Sequence, residues 1–244
     1  MKVVTWDIET TPLVVYTWGL YGIDSISPDN IIQDRSIICI AWKELGKAAV
    51  GGACVGEMTE REVVTAFRNY IDDADVLVAH NGDKFDVKHL NAKLIQYELP
   101  PMPHIQTIDT LKEVRKIAKF SSNRLDYLVK KLIGGGKQET NFALWKACMV
   151  GDESALRKMF RYCKHDVKIL EQLYVKLRPY FRGTVNMADV GTLNCPRCNS
   201  ADIKMRKEYR TKAGIVRNHF NCNDCRAPFT MRSAHKSPRP LSVA

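Results

Sequence analysis

The stretch Lys2-Val3-Val4-Thr5-Trp6-Asp7-Ile8-Glu9-Thr10-Thr11 decides how the rest of the chain is read. Val3, Val4, Trp6 and Ile8 supply the β-branched and aromatic side chains of a central strand. Side chains alternate across a strand, so Asp7 and Glu9, two residues apart, leave on the same face. Two carboxylates side by side near the end of an apolar strand repel one another unless a cation lies between them. Hard oxygen ligands of this kind suit magnesium or manganese. Taken alone, the same pair also reads as a strand-capping Asp7 and a solvated Glu9.

A chain of 244 residues holds one sizeable core, or a core domain with a small appendage. Mean hydropathy is −0.25, and no apolar run approaches the length that crosses a bilayer. The amino terminus runs straight into strand, with no charged segment leading into an apolar one, which predicts no secretory signal. A reducing cytoplasm is therefore the expected setting, and paired cysteines there are metal ligands more often than disulfides. The net charge of +10 is unevenly placed. Residues 184–244 carry 11 Lys and Arg against 4 Asp and Glu, whereas the 183 residues before them carry 26 against 23. A basic end on a nearly balanced body points to a polyanion, usually nucleic acid.

Outward from the first strand, residues 12–34 read as a long loop with Tyr16, Trp18 and Tyr21. Residues 35–43 read as a second strand and 47–53 as a third. Thr59 and Glu62 have capping-box spacing ahead of Val63, Val64 and Phe67, which predicts a helix over 59–70. Residues 75–80 form a short buried strand that ends in the turn pair Asn81-Gly82. A helix with Val87, Leu90, Leu94 and Ile95 on its inner face follows. Helices are expected over 107–119, 123–133, 139–149 and 153–177, which makes the order α/β. The Gly134-Gly135-Gly136-Lys137 run is no P-loop, because a helix precedes it and Gln138 follows the lysine.

Two further acidic stations follow. In His80-Asn81-Gly82-Asp83-Lys84-Phe85-Asp86, Asp86 lies just past a buried strand, on the sheet edge that carries Asp7 and Glu9. By itself it reads as a first-turn helix acid, and Asp83 is a rival for that position. In Tyr162-Cys163-Lys164-His165-Asp166, the spacing of four puts Tyr162 and Asp166 on one helical face. A phenol beside a metal-bound carboxylate can orient a water, although a lone tyrosine is more often core.

Asp7-x-Glu9, Asn81-x-x-x-Phe85-Asp86 and Tyr162-x-x-x-Asp166, in this order, resemble the three motifs of the DEDD 3′→5′ exonucleases. The likeness is to the tyrosine subclass, as in the proofreading domain of family B DNA polymerases and stand-alone phage exonucleases. The histidine subclass would place its base at Arg161, and His165 points about 100° from Asp166 around the helix. Over residues 1–183 the resemblance implies a ribonuclease H-like mixed sheet flanked by helices and a two-metal hydrolysis of phosphodiesters. It implies that Asp7, Glu9, Asp86 and Asp166 hold two Mg²⁺ or Mn²⁺ ions and that Tyr162 positions the attacking water. Ile8, Thr10, Asn81 and Phe85 would hold the terminal nucleotide. DNA is favoured over RNA by the likeness alone. A chain this short leaves no room for a polymerase, so any proofreading would serve a separate polymerase or a replication or recombination protein. Host cytoplasm is the setting if the chain is phage-encoded.

After a linker over 184–192, Cys195-x-x-Cys198 and Cys222-x-x-Cys225 frame a segment suited to a hairpin over 203–220. This predicts a small four-cysteine zinc ribbon over 193–232 with one structural Zn²⁺, since four thiolates leave no open coordination position. Two disulfides or a redox site are the alternatives. Lys204, Arg206, Lys207, Arg210, Lys212 and Arg217 interleave with Tyr209, His219 and Phe220. The charge asymmetry favours single-stranded nucleic acid over a solubilising surface or a protein platform. Residues 233–244 read as a disordered tail. The competing functions are an RNA 3′-exonuclease and a zinc-ribbon binding protein carried on an inactive nuclease scaffold.

Overall fold

The computed structural model describes residues 1–136, 140–189 and 191–232. It divides into two compact units, Met1–Lys176 and Leu177–Ala244. The predicted helix start at Glu139, the run through Lys137 and Gln138, and the predicted tail lie outside the described residues.

The first unit is built on a five-stranded mixed sheet. Its strands are β1 (Val3–Thr10), β4 (Ile37–Glu44), β5 (Gly51–Cys54), β6 (Val76–Ala79) and β7 (Gln106–Asp109), in the order β5-β4-β1-β6-β7. The β1–β4 and β4–β5 pairs are antiparallel, and the β1–β6 and β6–β7 pairs are parallel. Two short strands, β2 (Val14–Val15) and β3 (Ile31–Gln33), pair inside the segment expected to be loop throughout.

The alternation of β1 divides the core between the two sides of the sheet. Val4, Trp6 and Ile8 pack with Ile40, Trp42 and Leu77 against α1 (Glu60–Tyr70) and α2 (Asp86–Gln96). Trp6 stacks on Phe67 at 4.7 Å between ring centres, a geometry that adds to the burial itself. The opposite face, with Cys39 and Ala41, packs against α5 (Phe142–Met149) and α6 (Glu153–Leu177). Asp7 and Glu9 pair in register with Ala41 and Cys39, which places both acids on the α6 side. This is the mixed sheet flanked by helices that the sequence implies.

The Thr59–Glu62 capping box forms as read, with both reciprocal bonds present. Two expectations change. Residues 107–119 are not one helix, because Gln106–Asp109 extends the sheet and α3 is confined to Thr110–Ile117. Asp109 makes that switch. Its Oδ1 accepts the amides of Leu111 and Lys112 at the helix start and that of Asn81 from the neighbouring turn. Ile95 is 79% exposed, and Lys93 is buried in its place, paired with Glu60 at 3.2 Å. Further along, α4 (Leu125–Leu132) ends as expected of a glycine stop, with Gly134 at φ +85° and its amide on the Val129 carbonyl.

The second unit carries a three-stranded antiparallel sheet of β8 (Ile203–Arg210), β9 (Val216–Cys222) and β10 (Pro228–Arg232), in the order β10-β9-β8. The hairpin is the expected one, and β10 is an addition to it. Its small core is Cys195, Phe220, Cys222 and Phe229, with the two phenylalanines stacked at 5.5 Å. Residues read as linker are bound to the first cysteine turn. The Met187 amide donates to the Pro196 carbonyl, and Asp189 exchanges hydrogen bonds with Asn199.

Candidate active site

Three carboxylates converge on the α6 side of β1. Asp7, Glu9 and Asp166 each offer an oxygen within 4.8 Å of the other two. Asp166 is 1% exposed, and the two strand acids are half-buried. Strand alternation supplies the first pair and the inner face of α6 the third. Three like charges this close, in a place poorly screened by water, oppose ionisation unless a cation joins them. An all-oxygen donor set fits a hard divalent ion such as Mg²⁺ or Mn²⁺.

Asp86 does different work in the same place. Pairing between β1 and β6 stops at Thr5 and Val78, so the β1 amides beyond it face no parallel strand. The Ile8 amide donates instead to Asp86 Oδ1 at 3.1 Å, and Asp86 is 3% exposed. Asp86 thus borders the acid cluster through the residue between Asp7 and Glu9, but it is not one of the three grouped carboxylates. The turn before it demands its own residues. Asn81 sits at φ +72°, and a Cβ on Gly82 would stand 2.4 Å from that of Ala79.

On α6, Tyr162 is buried with its ring edge-on to Trp145. His165 turns elsewhere, with Nε2 3.0 Å from the Gly136 carbonyl. Cys163 lies between them, and its thiol donates to the Asp7 carbonyl at 3.4 Å. Burial pushes that thiol up to about 12, with Asp7, Glu9 and Asp166 adding to the rise and a Cys39 hydrogen bond opposing it. The four cysteines outside the ribbon, scattered in sequence, all belong to the core cluster behind the acids.

A groove of about 700 Å³ opens beside Asp7, lined by His80, Asn81, Arg115, Asn123, Arg124 and neighbours. Of the four residues predicted to hold a nucleotide, Asn81 lines it. Thr10 lines a second cleft of about 450 Å³ with Arg35, Phe142 and Trp145. The Ile8 side chain is in the core and its amide is taken by Asp86, while Phe85 packs against the core and edge-on to His89. Sequence reasoning passed over His80, whose Nε2 donates to the Asn123 carbonyl and Nδ1 meets Thr110 Oγ1. It also passed over Arg115, which lines the same groove as Arg124. The only signal for these was basic residues flanking a loop.

In the second unit, the four ribbon sulfurs also lie within 4.8 Å of one another. Cys195 and Cys225 are 3.7 Å apart and Cys198 and Cys222 3.6 Å, so the contacts cross between the two turns. The Arg197 and Cys225 amides donate to the Cys195 and Cys222 sulfurs at 3.4 and 3.5 Å. Four sulfurs closing on one point fit a tetrahedral zinc.

Among curated proteins, the chain is 28% identical over 120 residues to DNA polymerase III PolC-type of Ureaplasma parvum serovar 3. It is 30% identical over 116 residues to the protein of the same name from Mycoplasma genitalium. These matches take in 49% and 46% of this chain but 8% and 7% of the relatives' length. The family B DNA polymerase of the hyperthermophilic archaeon Pyrobaculum calidifontis shares the fold, with a TM-score of 0.54 over 73% of this chain and 24% of that one, at 16% identity. No helix among the described residues is long and apolar enough to cross a membrane. Residues 53–178, more than half of the chain, match the RNase H superfamily, and this stretch holds Asp86, Tyr162 and Asp166 on the sheet and helices described above. The chain belongs to the RNase H superfamily.

Proposed function

We propose that the protein is a metal-dependent 3′→5′ exonuclease that trims single-stranded DNA to nucleoside 5′-monophosphates. The observation that carries this reading is the convergence of Asp7, Glu9 and Asp166, from two elements far apart in sequence, within 4.8 Å of one another. Those three residues would hold the catalytic ions, with Asp86 beside them. When bound, a pair of such ions supplies charge neutralisation and a more acidic water at the scissile phosphate.

The remaining roles fall to the chain's own groups. Tyr162, one helical turn before Asp166, orients the attacking water through its hydroxyl. Asn81 and the exposed Arg115 and Arg124 line the groove beside Asp7, where amide and guanidinium donors hold sugar and phosphates. Asp86 keeps β1 in place by its hold on the Ile8 amide, so the two strand acids keep their spacing. Cys195, Cys198, Cys222 and Cys225 bind one structural Zn²⁺ that supplies much of the folding energy of the second unit. The names of the curated relatives favour DNA and a place in replication.

The test is end-labelled single-stranded DNA and RNA, incubated with Mg²⁺ or Mn²⁺ and with wild type or Asp7→Ala. The expected result is stepwise, metal-dependent shortening of DNA from the 3′ end, absent in the variant. Faster trimming of RNA would replace the substrate, and trimming of neither would leave a binding protein on a nuclease fold.

A further inference from the structure

We infer that one face of the ribbon sheet is a binding platform for single-stranded nucleic acid. Cross-strand pairing sorts its side chains. Lys204 stands opposite Asn221, Lys207 opposite His219, and Tyr209 opposite Arg217. From β10, Thr230 joins the His219 row and Arg232 the Arg217 row. Residues paired across a sheet share a face, and so does every second residue along a strand. Lys204, Lys207, Tyr209, Arg217, His219, Asn221, Thr230 and Arg232 therefore lie together. The edge-on contact of Tyr209 with His219, 4.9 Å between ring centres, shows the two rings side by side on that face.

The other face holds Phe220, Cys222 and Phe229, which close the small core, and Glu208, the one acid of the three strands. A register shift between Met205 and Lys207 makes this sorting possible. Without the extra residue, Lys207 and Tyr209 would fall on the core side. What remains is four cations, two rings and two hydrogen-bonding side chains, with no carboxylate among them.

This composition selects the occupant. Four cations without an acid attract a polyanion. Two rings set among the charges offer stacking surfaces, which only unpaired bases can use. Addition of a protein strand at the β8 edge is disfavoured, because Lys204, Arg206, Lys207, Arg210 and a bulge are the features that blunt an edge against such pairing.

The experiment measures binding of the full chain to 5′-fluorescein-labelled dT30 by anisotropy, with Ca²⁺ in place of Mg²⁺ to hold back hydrolysis. The variant K204Q/K207Q/R217Q, with zinc content equal to wild type, is expected to weaken binding at least tenfold at 0.1 M salt. Its log–log salt slope should fall by about 2, at roughly 0.7 per lost phosphate contact on a single strand. Tyr209→Ala should weaken binding at least fivefold with the slope unchanged. Arg210→Gln, on the other face, should change the slope less than Lys207→Gln. Unchanged affinity and slope in the zinc-loaded triple variant would overturn the inference. Equal affinity for a blunt 30-base-pair duplex, or an equal effect of Arg210→Gln, would do so as well. The readout is binding, so it stands apart from the exonuclease reading.

Discussion

The Ile8 amide donates to the Asp86 carboxylate at 3.1 Å, joining β1 to the first turn of α2 across 78 positions of sequence. The bond is buried, so removing the acceptor leaves a donor with neither protein nor water. Asp86→Ala is expected to cost about 1–3 kcal/mol in urea unfolding. Asp86→Asn keeps Oδ1 and should recover most of that loss. Trimming by Asp86→Asn should nevertheless stay at least a hundredfold below wild type. Recovery of both would mean that Asp86 serves the backbone alone.

An ion held by Asp7, Glu9 and Asp166, as proposed, would be visible in stability. An ion bound only by the folded state raises stability by RT ln(1 + [L]/Kd), about 2.7 kcal/mol at a hundred times Kd. Wild type should therefore melt higher with added Mn²⁺. Asp166→Asn should melt at the same temperature with and without Mn²⁺ and should lose trimming. A full Mn²⁺ shift in Asp166→Asn would remove Asp166 from the metal site.

Tyr162 and His165 lie three residues apart on α6 with different partners, Trp145 and the Gly136 carbonyl. Tyr162→Phe keeps the packing and removes the hydroxyl. It should lower kcat about a hundredfold and leave KM near wild type. His165→Ala should cost less than threefold in kcat. The reverse ranking would move the water-orienting role to the histidine.

The eight cysteines fall into two sets by position, four in the core cluster and four grouped in the second unit, and should react with a disulfide reagent accordingly. Burial pushes the Cys163 thiol up to about 12, which keeps it protonated and unreactive near neutral pH. Cys39, Cys54 and Cys148 are buried in the same cluster. A zinc chelator should release four thiols to a disulfide reagent and melt the small sheet, and the other four should react only in denaturant. Eight fast thiols in the native protein would contradict the burial.

What was legible in the sequence followed from local periodicity. Asp7 and Glu9 are two apart on a strand, Tyr162 and Asp166 four apart on a helix, and Thr59 and Glu62 three apart at a helix start, so each pair announces its own geometry. What was not legible depends on neighbours. Gln106–Asp109 is a strand because Val76–Ala79 lies beside it, and four residues running straight into α3 carry no period of their own. Ile95 is exposed although apolar, because Lys93 reaches Glu60 from the opposite side of α2. The hold of Asp86 on Ile8 exists because β6 stops short of the end of β1. No spacing within Asn81–Asp86 reports that.

The thiol of Cys163 on the Asp7 carbonyl carries a consequence for how α6 tolerates change. It fastens the helix's rotation to β1 three residues before Asp166. One alanine inserted after Lys164 would swing Asp166 by about 100° about the helix axis and empty its corner of the cluster. The same alanine added between Val150 and Gly151, ahead of α6, leaves its angular phase untouched. Between Cys163 and Asp166 the helix should therefore tolerate exchange of residues but not their gain or loss.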